Sequence, residues 1–133
     1  MHTALTIHFD GGSSPSPKDG ERYGSYVIED SSETVLRAQR ITFGTGTSNE
    51  AEYLTLKAAL LHLIGELGLV HRQVALKVFS DSILVVNQVN GVWKSKNPRM
   101  RLLRDEVRAL LDQFLAWQLS WNSRNVNVQK FGH

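Results

Sequence analysis

"QVALKVFSD", residues 73–81, is an apolar, β-branched run of the kind found in strands buried on both faces. Upstream of it, "TSNEAEYLTLKAALLHLIGEL" (47–67) is built from good helix formers, opens on a Thr47-to-Glu50 capping box and can close at Gly65 or Gly68. A strand entered through such a crossover helix lies parallel to an earlier strand. This one relationship predicts a mixed α/β sheet rather than a purely antiparallel one.

Three strand-like stretches precede the helix: residues 3–10, "ERYGSYVIED" (21–30) and "TVLRAQRITF" (34–43), which read as an antiparallel meander. The prolines of "SSPSPKDG" (13–20) mark a loop. In "ALTIHFDGGSS" (4–14), Leu5, Ile7 and Phe9 alternate with Thr6 and His8, and the run is expected to end at Asp10 before Gly11 and Gly12. Taken alone, that ending fits a tight Asp-Gly turn and a carboxylate held for chemistry equally well. On the C-terminal side, "SILVVNQVNG" (82–91) predicts a short helix, and Asn97-Pro98 predicts the N-cap and first residue of a helix reaching about Trp117. "QLSWNSRNV" (118–126) predicts a last strand, giving the order β-β-β-α-β-α-α-β.

The chain has 133 residues, 41% of them hydrophobic, enough for one core, so residues 1–133 are expected to form a single domain. Fifteen basic and thirteen acidic side chains leave a net charge of +2, and the pI is about 9.1, which permits a polyanionic partner without requiring one. With no cysteine, disulfides and cysteine-ligated zinc are excluded. No apolar run is expected to span a membrane and no signal peptide is evident, so a cytoplasmic monomer without membrane association is expected.

The first and fourth predicted strands both end in aspartate, Asp10 and Asp81. In an open α/β sheet, ligands bind beyond the carboxyl ends of parallel strands, so neighbouring strands would bring the two carboxylates together. Like charges at close range repel unless a cation neutralises them, and an oxygen-rich site suits magnesium or manganese. Asp81 also reads as a helix N-cap in "SDS". A third acid is expected from the crossover helix, which offers Glu50 and Glu52. Two residues apart, these point about 200° apart, so only one joins the site, and periodicity leaves the choice open. Glu50 suits the first-turn position that favours the helix dipole.

"FDGGSS" (9–14), "TSNEAEYLTLKAAL" (47–60) and "SDSILVVNQVNGVWKSKNP" (80–98) resemble, in order and spacing, the three core motifs of type 1 ribonuclease H, most closely its compact archaeal-type forms. The likeness covers residues 3 to about 115. It implies a ribonuclease H-like fold, a five-stranded mixed sheet with helices on both faces, and hydrolysis of the RNA strand of an RNA/DNA hybrid with two magnesium or manganese ions. Carried over by position, it marks Asp10, Glu52 and Asp81 as metal-binding catalytic acids, with the glycines after Asp10 turning the backbone away from the site. The family's fourth acid is missing: of its usual ending, Arg124 and Asn127 match, but Phe131 stands where the aspartate would be. His133, two residues on, is taken as a candidate replacement ligand and catalytic residue, against its reading as a chain-terminal histidine. His8 shares a strand face with Asp10 and reads better as a packed core histidine.

The resemblance also implies how a hybrid is held. Ser13, Ser48, Asn49 and Ser82 are candidates to read RNA 2′-hydroxyls, with Gly11 and Gly12 as further substrate-binding candidates. Thr47 corresponds to a position gripping a DNA-strand phosphate, and Trp93 to an aromatic beside the DNA strand. Lys94, with Lys96, Arg99 and Arg101, is a candidate for phosphate contacts. Each of these also has an ordinary role as turn, cap, core or solvated residue. The loop "SSPSPKDGERYG" lacks the family's asparagine, which puts one 2′-hydroxyl contact in doubt. Two other readings stay open: a hybrid-binding module without catalysis, and a nuclease of the same fold acting on DNA.

Overall fold

The computed structural model describes residues 3–131. Strands β1 (Thr3–Ser14), β2 (Gly20–Glu29) and β3 (Val35–Gly46) form the meander, followed by helix α1 (Ser48–Leu67) and a 3₁₀ turn (Gly68–Gln73). Strand β4 (Val74–Ser80), helices α2 (Ile83–Val89) and α3 (Pro98–Leu111), strand β5 (Ala116–Trp121) and helix α4 (Arg124–Phe131) complete the chain. The sheet order is β3-β2-β1-β4-β5, antiparallel across β1–β2–β3 and parallel across β1–β4 and β4–β5. The crossover through α1 therefore produces the expected five-stranded mixed sheet.

The alternation in β1 assigns its faces. Leu5, Ile7 and Phe9 are buried with Tyr53, Leu56, Ala59, Leu60 and Leu63 of α1, while α3 contributes Val107 and Leu111 to the same core. His8 points to the opposite face, which α4 covers: Lys130 Nζ lies 3.0 Å from Glu29 Oε2, and Glu29 Oε1 lies 3.2 Å from His8 Nε2. Helices thus pack on both faces.

Several sequence expectations need correction. Strand β1 continues to Ser14 rather than ending at Asp10, because it stays paired with β2 as far as Ser14–Glu21. Helix α3 ends at Leu111, not near Trp117, and Trp117 instead pairs with Leu76 in the sheet. The last strand begins two residues earlier than expected, and residues 124–126 belong to α4. The helical run 48–73 is also long and apolar enough by composition to cross a membrane. In the structure it is the central core helix, burying Glu50 and Glu52 alongside its apolar residues.

Candidate active site

The parallel ladder between β1 and β4 runs from Thr3–Val74 to His8–Phe79 and stops there. Beyond it, β1 continues along β2 while β4 turns into α2, and the strands part. Asp10 and Asp81 each stand two residues past the last parallel pair, on opposite lips of this opening. It is the crevice at which a sheet of this kind receives ligands.

Glu52 reaches the crevice from α1. One carboxylate oxygen each from Asp10, Glu52 and Asp81 lies within 4.8 Å of the others. Oxygens on opposite sides of one magnesium ion are separated by about 4.2 Å, twice a bond length of about 2.1 Å, so small adjustments would let these groups share a cation. Glu52 is only 6% exposed. Its Oε1 accepts the Gly11 N–H at 2.8 Å, and its Oε2 is buried without a hydrogen-bond partner. An orphaned carboxylate oxygen is costly unless something positive meets it. Burial, reinforced by the Asp10 charge and less strongly by Asp81, holds the Glu52 carboxyl well above the usual range, against the pull of the Gly11 N–H. The donor set is thus all oxygen, crowded and short of positive charge, which fits a hard divalent cation.

Glu50 is occupied elsewhere. Its Oε1 accepts the Thr47 N–H at 2.8 Å while Thr47 Oγ1 accepts the Glu50 N–H at 3.1 Å, completing the capping box. Arg99 Nη1 donates to Glu50 Oε2 at 2.9 Å, and Arg22 Nη1 lies 3.6 Å from Oε1. Burial pushes the Glu50 carboxyl up, but these hydrogen bonds outweigh it and hold the group below its ordinary value. The two glutamates that periodicity left undecided are separated by their surroundings: one is fully partnered, the other faces the aspartates.

The glycines do not turn the chain aside, as the resemblance implied. Gly11 and Gly12 remain in β1, and a Cβ on Gly11 would lie 2.7–2.8 Å from the backbone of Ala51 and Glu52. Gly11 pairs with Gly24, where a Cβ would collide with Thr55. The pair forms a bare patch on which α1 rests, and this close approach brings Glu52 to the Gly11 amide. Gly12 is packed against the Tyr23 ring.

The other candidates fall into groups. Ser13 Oγ donates to Gly46 O at 2.7 Å, tying β1 to the end of β3, and the Ser48 N–H donates to Pro17 O at 2.8 Å, tying the start of α1 to the loop after β1. Ser82 caps α2 by accepting the Val85 N–H at 3.3 Å. Thr47 and Asn49 line a cavity of about 490 Å³ with Asn97 and Arg99, at the facing N-termini of α1 and α3. Trp93 is 44% exposed and therefore not core, and Lys94 is exposed beside it. His8 is buried, stacked on Phe79 at 5.2 Å and paired with Glu29, outside the acid cluster. Phe131 lines a separate cavity with Ser25, Val27, Ala38 and Arg40, and His133 lies outside the described residues. Sequence reasoning missed Arg22, whose contact with Glu50 spans β2 to α1 and leaves no local signal, and Asn97 as a lining residue of the Thr47 cavity.

A family model described as reverse transcriptase-like matches residues 8–129. Ribonuclease HI of Halobacterium salinarum is 30% identical over 120 residues, 90% of this chain and 57% of that protein. The solved N-terminal RNase H domain of Rv2228c from Mycobacterium tuberculosis is 32% identical with a TM-score of 0.84, covering 96% of this chain and 87% of that one. This chain spans 32% of full-length Rv2228c, which is described as a bifunctional protein. LC11-RNase H1, solved in complex with an RNA/DNA hybrid, superposes with a TM-score of 0.85 at 26% identity, covering 94% of this chain and 89% of that one.

Proposed function

The chain belongs to the reverse transcriptase-like family whose model spans residues 8–129, and within it to the type 1 ribonucleases H, and from that premise we propose that it is an endonuclease cutting the RNA strand of RNA/DNA hybrids. The single observation that carries this reading is the convergence of Asp10, Glu52 and Asp81, with an orphaned Glu52 oxygen among them.

Each residue has a definable task. Asp10 and Asp81 present carboxylates from the two lips of the crevice, and Glu52 supplies a third from below, fixed by the Gly11 amide. When bound, divalent ions supply an activated water nucleophile and stabilise the leaving 3′-oxygen. The cleaved ends are then a 5′-phosphate and a 3′-hydroxyl. We propose magnesium or manganese as the ions, with His133 as a weak replacement for the fourth acid. Thr47, Asn49, Asn97 and Arg99 line a polar cavity that we assign to a backbone phosphate, although the Glu50 carboxylate lines it too and already engages Arg99, and exposed Trp93 and Lys94 offer stacking and charge to the DNA strand. Ser13, Ser48, Ser82 and the backbone of Gly11 and Gly12 border the path of the RNA strand, whose 2′-hydroxyls distinguish it from DNA. A cytoplasmic monomer is part of the same proposal.

The test is incubation of labelled RNA/DNA hybrid, single-stranded RNA and duplex DNA with the protein and either metal. Cleavage confined to the hybrid supports the proposal. Binding of the hybrid without cleavage would favour the non-catalytic module, and cutting of duplex DNA would overturn the substrate assignment.

A further inference from the structure

Trp121 ends β5 and is 51% exposed, yet its indole N–H donates to the backbone oxygen of Asp81 at 3.2 Å. That contact lies where the sheet no longer holds the chain. On the β1 side, the parallel ladder has already ended at His8–Phe79. On the β5 side, pairing ends at Ser80–Trp121, and the Asn122 N–H takes Ser80 O at 2.8 Å. Ser82 is held from the other direction: its N–H donates to Ser80 Oγ at 3.0 Å and its carbonyl accepts the Val86 N–H at 3.0 Å as α2 begins. Three consecutive carbonyls thus have three different partners. The middle one, on Asp81 itself, is held by a side chain rather than by the sheet or the helix.

The peptide units on either side of Asp81 set the direction of its Cα–Cβ bond, from which the carboxylate is presented. We propose that Trp121 is a positioning residue for that carboxylate: its indole N–H fixes the Asp81–Ser82 peptide and so holds Asp81 toward Asp10 and Glu52. This rests on the reading of Asp81 as a metal ligand. Half-exposed at the end of β5, Trp121 is not among the core residues, and its indole N–H is the tie it makes to Asp81.

The test compares Trp121→Phe, which keeps an aromatic ring but loses the indole N–H and part of the ring system, with Trp121→Ala and Asp81→Asn. Manganese binding to the full chain is read from the free-ion electron paramagnetic resonance signal, and unfolding midpoints are measured with chelator present. One hydrogen bond of ordinary net strength corresponds to a loss in manganese affinity of about three- to tenfold in Trp121→Phe. The half-saturating manganese concentration for cleavage should rise by the same factor, with turnover at saturating manganese retained. Trp121→Ala should lose no more affinity than Trp121→Phe, and the metal-free midpoint of Trp121→Phe should fall by no more than the loss of one hydrogen bond allows, leaving the protein folded at the assay temperature. In the unsubstituted protein, the Trp121 indole N–H resonance should broaden at lower manganese than that of Trp117, at the far end of β5. Unchanged affinity in Trp121→Phe beside a large loss in Asp81→Asn would overturn the role of Trp121 alone. Unchanged affinity in Asp81→Asn would overturn the reading of Asp81 and the inference with it.

Discussion

The backbone N–H of Gly11 donates to Glu52 Oε1 at 2.8 Å, joining the first strand to the crossover helix at the point where the acids meet. The bond exists only because Gly11 has no side chain, since a Cβ there would lie 2.7–2.8 Å from the α1 backbone at Ala51 and Glu52. Gly11→Ala is expected to cost about 1–3 kcal/mol of stability, as overpacking does. Because the obstructing atoms are backbone, relief requires moving α1, so manganese affinity should fall as well. Urea unfolding and a metal titration on the same variant check both parts.

Glu50 and Glu52 should fail in different ways. Glu50→Gln weakens hydrogen bonds to Arg99 and the Thr47 amide, so it is expected to lower stability by about 1.5–3 kcal/mol, the range for bonds to a charged group. Metal affinity should be retained. Glu52→Gln should leave the fold intact and lower metal affinity at least about 100-fold, beyond what loss of a ligand's supporting partner costs. Equal damage to cleavage by both, at saturating hybrid and in folded protein, would contradict the assignment.

The metal-free protein should respond to pH through Glu52. Its carboxyl is held above the ordinary value by burial and by Asp10, so the folded state binds the proton more tightly than the unfolded chain does. Stability of the chelator-treated protein should therefore fall as pH rises from the unfolded carboxylate value through the raised folded one. Glu52→Gln cannot ionise and should lose this slope, with a higher melting temperature than the parent at neutral pH. Melting curves from pH 4 to 8 with and without the substitution measure it.

The order of elements as far as β5 was legible in the sequence because it rests on local signals, strand alternation and a capping box, whereas Asp10, Glu52 and Asp81 were singled out together only through motifs of fixed spacing. The choice between the glutamates was not legible from periodicity, because α1 lies between the sheet and α3 and buries residues all round, including Glu50, Ala51, Glu52 and Tyr53 in succession. The resemblance selected Glu52, and the surroundings of the two side chains agree with that choice. Gly11 and Gly12 were misread because a turn and a close helix contact both select glycine. Helix α4 was missed for another reason. It carries no acid in its first turn, and its position is tied to the Lys130–Glu29 contact, which bridges 101 residues. Likewise, Trp117 continued an apparent helical pattern, but the chain leaves α3 at Asp112, whose Oδ1 accepts the Trp117 indole N–H at 2.8 Å.

The proposal that His133 stands in for the fourth acid carries a prediction about metal choice. Neutral imidazole carries no charge and is the better match to manganese, so cleavage is expected to favour manganese over magnesium. His133→Ala should slow cleavage moderately, whereas His133→Asp should raise activity in magnesium. Activity of both variants over a magnesium and a manganese titration decides it, and no change in either would mean that three acids suffice.

The most direct measurement uses an RNA/DNA hybrid labelled on both strands, incubated with the protein and manganese, then with EDTA, and then with Asp10→Asn, Glu52→Gln and Asp81→Asn in turn. The account predicts cuts in the RNA strand alone, leaving 5′-phosphate and 3′-hydroxyl ends. It also predicts complete loss of cutting with EDTA and a drop of at least about 100-fold in each variant. RNA cleavage that persists in EDTA, or in folded Glu52→Gln at the unsubstituted rate, would contradict it.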